Sequence, residues 1–202
     1  AGVVRRVGMS DAESREQALL FSKLQKSTRE IFGPGAQMSL FGSNSCGFAT
    51  SGSDLDIMVR LPGRDATPRE GVNLLRRFWR EFVRKRNVYS AEIRPFARIP
   101  VVRLCEARTG RSADVSMYEK ERSAAAALQA YLFMDYANID ARVRELVLLV
   151  KGWSKARGIN DASTGSLSST GYTLLALFYL QKAGVVPNLQ AHRVSLQGDA
   201  LR

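Results

Sequence analysis

Apolar positions recur along the chain in two rhythms, one with the period of a helix and one with the period of a strand. Ser10 and Glu13 form an S-x-x-E capping box that opens a helix predicted to run to about Phe32, where Gly33-Pro34-Gly35 stops it. Residues 38–41 and 55–59 then read as strands, separated by a Gly-, Ser- and Asn-rich loop over 42–52 that is too long for a tight hairpin. Thr67-Pro68-Arg69-Glu70 combines an N-cap, a proline at the first helical position and a capping-box glutamate, which predicts a helix to about Arg86. Residues 89–93, 98–104 and 113–118 read as further strands, the last two joined by a turn through Thr109-Gly110-Arg111. After Glu119 the rhythm is helical, with segments at 120–136, 141–157 and 171–183; Gly158 and Gly184 follow the last two.

Strands therefore lie in one block and helices in another. The expected fold class is α+β in two lobes, a mixed-sheet lobe over 34–120 and a helical lobe from 1–33 and 121–202, with a cleft between them. The first helix is free to pack on either lobe. With 202 residues, 45% of them hydrophobic, the chain has enough apolar material for one full core or two small ones. No run of 18 apolar residues exists, so no membrane partner is expected. The opening segment shows no intact signal or transit peptide.

Composition narrows the chemistry. Cys46 and Cys105 are the only cysteines and His192 the only histidine, the last read as an exposed tail residue. Neither a disulfide framework, a cysteine zinc site nor a histidine-based triad can be built from them, and a reducing, intracellular compartment is expected. The charge is +11, and 14 of the basic residues against five acidic ones fall within positions 60–111. The densest part is Arg76, Arg77, Arg80, Arg84, Lys85 and Arg86. This run reads either as a solvated helix face or as a track for a polyanion, and guanidinium forks suit phosphate.

Asp54 and Asp56 stand two residues apart at the start of an apolar strand, so both carboxylates project to one side. On its own such a pair is a strand end in water or a cation site; a D-x-D gripping a nucleotide sugar shares the same logic. Asp114, on a strand with apolar neighbours, supplies a third oxygen ligand if that strand lies beside Asp56. Three carboxylates on one sheet surface would make a hard site for Mg²⁺, completed by water and substrate phosphates. Upstream, Gly42-Ser43-Asn44-Ser45-Cys46-Gly47 allows close backbone approach and offers N–H and hydroxyl donors to phosphate. Loop and acids together suit a metal-bound triphosphate.

Gly42-Ser43, Gly47 and Ser53-Asp54-Leu55-Asp56 resemble the signature of the DNA polymerase β-like nucleotidyltransferase superfamily. Arg98-Ile99-Pro100-Val101-Val102 before Asp114, Asp140-Ala141-Arg142, Lys151-Gly152-Trp153-Ser154-Lys155, Gly165-Ser166-Leu167-Ser168-Ser169 and Pro187-Asn188-Leu189-Gln190 are similar to its RNA-terminal branch, the terminal uridylyltransferases and related poly(A) polymerases. The sheet lobe would then be the palm. The resemblance implies a template-independent enzyme that adds UMP from UTP to RNA 3′ ends through Mg²⁺, with Mn²⁺ as a substitute. A poly(A) polymerase using ATP is the alternative, and a catalytically idle RNA- or partner-binding member the second. Asp54, Asp56 and Asp114 would hold two metal ions. Gly42, Ser43, Ser53, Gln129, Lys151, Lys155, Ser169 and Thr170 would contact the nucleotide, and Arg76, Arg77, Arg80 and Arg84 the RNA.

UTP is the first choice because only a modest segment separates Asp56 from Asp114, as in the compact uridylyltransferases. The expected partners are the RNA 3′ end, a nucleoside triphosphate and an RNA-processing or RNA-editing complex. The Arg-rich composition and the family's organellar members point to the mitochondrion, with the cytoplasm next. Two departures from the family pattern stand out: Gln129-Ala130 occupy positions where Asn-Ser is usual, and Thr170 one where a base-stacking tyrosine is usual. Only twelve residues follow Gln190, whereas the side chains that select the base in relatives lie mostly beyond that point, so either this is a partial chain or base selection is built differently.

Overall fold

The computed structural model describes residues 6–63, 66–85, 88–97 and 99–191. His192, Arg86 and Arg98, named above, lie outside them. Two compact units divide the chain, one of residues 8–130 and one of residues 1–7 with 131–202.

The first unit is built on a five-stranded sheet: β1 (Gln37–Phe41), β2 (Leu55–Arg60), β3 (Tyr89–Arg94), β4 (Val101–Glu106) and β5 (Ser112–Met117). Its spatial order is β1-β2-β5-β4-β3, with β2 and β5 parallel and every other pair antiparallel. β4 begins three residues later than the apolar pattern suggests. Pro100 has no N–H to give a ladder, so pairing starts at Val101.

Each strand alternates, and one set of side chains is buried: Leu55, Ile57 and Val59 on β2, Val102 and Leu104 on β4, Ala113, Val115 and Met117 on β5. Two helices cover that face. Helix α1 (Asp11–Phe32) is opened by the Ser10–Glu13 capping box and buries Gln17, Leu20, Leu24 and Thr28 at helical spacing. Helix α2 (Pro68–Arg84) is opened by the Thr67–Glu70 box and buries Gly71, Leu75, Phe78 and Phe82. Phe78 is fully buried, lies parallel to Phe32 at 6.4 Å and packs against Phe82 at 4.7 Å. Each such aromatic contributes on the order of 2–3 kcal/mol by leaving water. Because Leu20 and Leu24 belong to this core, α1 goes with the sheet and not with the helical lobe over 1–33 and 121–202 that sequence grouping assigned it.

Helix α3 (Lys120–Ile139) carries the boundary between the units and runs three residues further than predicted, until Asp140 caps the next helix by accepting from the Arg142 N–H. The second unit contains α4 (Ala141–Ala156) and α5 (Ser169–Lys182), packed through Val147, Leu148, Ala176, Leu177 and Leu180. Buried Tyr136 accepts hydrogen bonds from Gln181 at 2.6 Å and from the Leu189 N–H at 3.1 Å. A Cβ at Gly152 would stand 2.5 Å from the Val7 side chain, so the glycine of the Lys151-Gly152-Trp153 motif is demanded by helix packing.

Candidate active site

The face of the sheet away from α1 and α2 carries the other half of each alternation. One row of register partners crosses four strands: Glu92 on β3 faces Arg103 on β4, Arg103 faces Asp114 on β5, and Asp114 faces Asp56 on β2. Neighbouring strands lie about 4.8 Å apart, and register partners project to the same face. The i, i+2 spacing adds Asp54. The three aspartates predicted to meet are therefore on one surface, and the parallel β2–β5 pairing, 58 positions apart in sequence, is what joins them.

Arg103 binds the two outer acids. Its Nε and Nη2 donate to Asp114 Oδ1 and Oδ2, both at 2.8 Å, and Nη2 also donates to Asp54 Oδ2 at 3.1 Å. The Asp114 hydrogen bonds, ahead of the opposing cost of partial burial, raise the guanidinium's pKa further above its already high ordinary value. On the outer side Glu92 is held by Arg94 at 2.9 and 3.2 Å, and that hydrogen bonding lowers the Glu92 pKa.

Arg103 was missed in the sequence, although two signals find it. Val102 and Leu104 point into the core, so Arg103 must point out. The four-residue turn of the β4–β5 hairpin, closed by Glu106 N–H to Arg111 O and Gly110 N–H to Glu106 O, sets Arg103 opposite Asp114.

Behind Asp56, β1 ends at its register partner Phe41 and the chain turns sharply at Gly42, φ +64°, into a 3₁₀ turn over Gly42–Asn44. A Cβ on Gly42 would lie 2.3 Å from Asp56 Oδ2, so only glycine brings this turn against the carboxylate. Ser43 sits in that turn. Asn44 Nδ2 donates to the Asp54 carbonyl at 2.8 Å and ties the turn to the acid strand.

Ser53 lies in the loop just before Asp54. Its hydroxyl accepts from the Thr50 N–H at 3.0 Å and pairs with the Thr50 hydroxyl, which closes the loop. The loop is also pinned by Glu13, missed at first. The Glu13 carboxylate accepts from Ser51 Oγ and the Gly52 N–H at 3.0 Å and from Arg111 at 3.0 Å. Those bonds, led by the one from the Ser10 N–H, hold its pKa down at about 2.

The remaining sequence-predicted residues lie on other elements of this unit or in the second unit. Arg76, Arg77, Arg80 and Arg84 are exposed on α2, on the opposite side of the sheet from the acids. Arg77 donates to the Ile31 carbonyl at 2.6 Å and lies over the Phe32 ring, while Arg84 pairs with Glu81. Gln129 is exposed on α3. In the second unit Lys155 is exposed, but Lys151 is only 7% exposed and lies in the buried stripe of α4 with Val143, Val147, Leu148 and Ser154. Ser169 and Thr170 open α5; Ser169 Oγ accepts from Asn160 at 3.4 Å, and Tyr172 meets Trp153 edge to face.

Hard carboxylate oxygens converging from adjacent strands are the donor set that Mg²⁺ takes. Among the described residues, however, no three His, Cys, Asp or Glu side chains are already gathered to hold an ion. The backbone register supplies the geometry, and the side-chain rotamers of Asp54 and Asp114 are set by Arg103.

A mixed sheet with helices on one face, and on the other three aspartates beside a glycine turn, defines the palm of a polymerase β-like nucleotidyltransferase. The chain belongs to the family described as "Poly(A) RNA polymerase, mitochondrial-like, central palm domain", which matches residues 2–129. It is 34% identical over 186 residues to human terminal uridylyltransferase 7, covering 88% of this chain and 12% of that protein. It is 30% identical over 191 residues to terminal uridylyltransferase cid1 of Schizosaccharomyces pombe, covering 93% and 45%. It is 31% identical over 172 residues to poly(A) RNA polymerase GLD2 of Xenopus tropicalis, covering 84% and 32%. Among solved structures, the Cid1 poly(U) polymerase bound to MgGTP matches with a TM-score of 0.74 at 29% identity, over 89% of this chain and 54% of that one. The chain thus spans about half or less of the length of these relatives.

Proposed function

We propose that this chain is the catalytic palm and adjoining helices of an enzyme that extends RNA 3′ ends without a template, with UTP as its nucleotide. The observation that carries the reading is the single row Arg103–Asp114–Asp56, with Asp54 on the same face and the Gly42 turn against Asp56. Asp54, Asp56 and Asp114 would hold Mg²⁺, which neutralises the triphosphate and acidifies the attacking hydroxyl when bound. Asp114 Oδ would take the proton of the RNA 3′-hydroxyl as that oxygen attacks the α-phosphate and pyrophosphate leaves. The Gly42–Ser43 turn offers backbone N–H groups and a hydroxyl to the triphosphate. Lys151, Lys155, Ser169, Thr170 and Gln129 are assigned to the nucleotide by the motifs they occupy.

UTP is supported by the short segment between Asp56 and Asp114 and by the names of two of the relatives. ATP is the second reading, since a poly(A) polymerase is similar to the chain at nearly the same identity. An RNA-processing complex and a mitochondrial setting belong to the same proposal. The test is extension of an RNA with a free 3′ end by the purified protein, with Mg²⁺ and each of the four ribonucleotides in turn. Ladders with UTP alone support the reading. Ladders with ATP move it to the alternative, and no extension with any nucleotide overturns it in favour of a binding role.

A further inference from the structure

Arg103 and a metal ion compete for the same oxygens. Both carboxylate oxygens of Asp114 and Oδ2 of Asp54 already accept from its guanidinium at 2.8–3.1 Å. An ion ligated by those oxygens would stand within a few ångströms of a fixed positive charge, and like charges at that range repel strongly in a partly desolvated site. The fork is not an accident of a long side chain, because β4–β5 pairing makes Arg103 and Asp114 direct register partners.

On its other flank Arg103 has another carboxylate within reach, its β3 register partner Glu92. Glu92 is 61% exposed at its side chain and is bound laterally by Arg94, two residues along the same strand. One guanidinium therefore stands between two acidic partners, with the three aspartates on one side and Glu92 on the other.

We propose that Arg103 is a displaceable counter-ion of the aspartate cluster: it neutralises and orients Asp54 and Asp114 while no metal is bound, and shifts toward Glu92 and the phosphates of the substrate when an ion enters. This rests on the reading of the three aspartates as metal ligands. Arg103 is a positioning residue on this account. Two consequences follow from linkage. Metal binding in the absence of nucleotide is weakened by Arg103, and any anion that draws the guanidinium away strengthens it, with the reciprocal effect of metal on anion binding.

The experiment is a Mn²⁺ titration of the nucleotide-free protein, with free Mn²⁺ followed by electron paramagnetic resonance. Arg103→Met is expected to bind Mn²⁺ about tenfold more tightly than the unmodified protein, within the usual range of such couplings. Arg103→Lys keeps the charge and is expected to stay within about threefold of it. Glu92→Gln removes the second partner and is expected to bind more weakly. Equal or weaker binding by Arg103→Met overturns the counter-ion role.

Asp54→Asn and Asp114→Asn separate this from the parent reading. If both bind Mn²⁺ as the unmodified protein does, or if neither the unmodified protein nor Arg103→Met binds it, the metal site itself is refuted. A measurement on the unmodified protein stands should Arg103→Met not fold: the nuclear Overhauser contact between the Arg103 Nε–H and the Asp114 Hβ protons is expected in EDTA, where Nε donates to Asp114 Oδ1, and is expected to be lost at saturating Mg²⁺. A contact that persists overturns the proposal.

Discussion

Gly42 touches Asp56: no side chain larger than hydrogen fits between the turn and the carboxylate, since a Cβ would sit 2.3 Å from Oδ2. The backbone there is left-handed as well, φ +64°, so an alanine meets two penalties at once. Gly42→Ala is expected to lower stability by about 1 kcal/mol from the backbone alone. The larger effect falls on chemistry, because the clash moves Asp56 or the turn by a few tenths of an ångström to an ångström, worth up to about a hundredfold in extension rate. Thermal unfolding beside primer extension would show that split, and unchanged extension would remove Gly42 from the site.

The aspartates are expected to be needed for turnover and not for folding. They sit on the open face, outside the core of Leu55, Ile57, Val115 and their neighbours. Asp56→Asn should cost at least about a hundredfold in rate, the size expected for losing several kcal/mol of transition-state charge stabilisation. Circular dichroism and the melting temperature should remain close to those of the unmodified protein.

Glu13 couples the start of α1 to the loop before Asp54 and to Arg111 of the hairpin. Its pKa is lowered from an ordinary 4.5 to about 2. A carboxylate with a depressed folded pKa contributes stability that is complete above about 4.5 and lost as pH falls toward 2. Glu13→Gln is expected to cost about 2 kcal/mol at neutral pH, as loss of charge-assisted hydrogen bonds does. Its denaturation midpoint should then change less than that of the unmodified protein between pH 5 and pH 2. Parallel acid profiles for the two proteins would show that Glu13 is not the titrating contact.

Arg76, Arg77, Arg80 and Arg84 lie on the helix-covered side of the sheet, so any RNA they hold is not at its reacting end. Replacing the four by glutamine is expected to weaken binding of long RNA and to flatten the logarithmic salt slope by roughly 0.7 per lost phosphate contact. Extension of a primer only a few nucleotides long should be unaffected. Equal loss for short and long primers would place these arginines nearer the acids than the sheet allows.

Phe78 tests the core that holds the acids in register. Fully buried between Phe32 and Phe82, it is expected to cost about 3–5 kcal/mol as alanine, read from chemical denaturation.

Much of this was legible without coordinates because the signals are local. The Ser10–Glu13 and Thr67–Glu70 boxes are four residues long and opened the helices expected of them. The strands of the palm were found within three residues of their ends, and Asp54 and Asp56 share a face by spacing alone. Lys151 shows the limit of the same reasoning. Its i, i+4 spacing from Lys155 relates the two side chains to each other, yet packing of α4 buried Lys151 and left Lys155 exposed, since spacing gives relative angles around a helix but not which angle faces the neighbour.

What the amino-acid order determined by itself, then, is the run of elements, their caps, the acid pair and the glycine turn, each specified within a few residues by sterics and hydrogen bonding. Only the tertiary structure decided that β5 lies parallel beside β2, which sets Asp114 against Asp56, that Arg103 stands over Asp114, and that the arginines of α2 face away from them all. Those facts depend on strand order and register between segments up to 58 residues apart, and they are settled by which faces can be buried together, a property of the packed core that no short stretch carries.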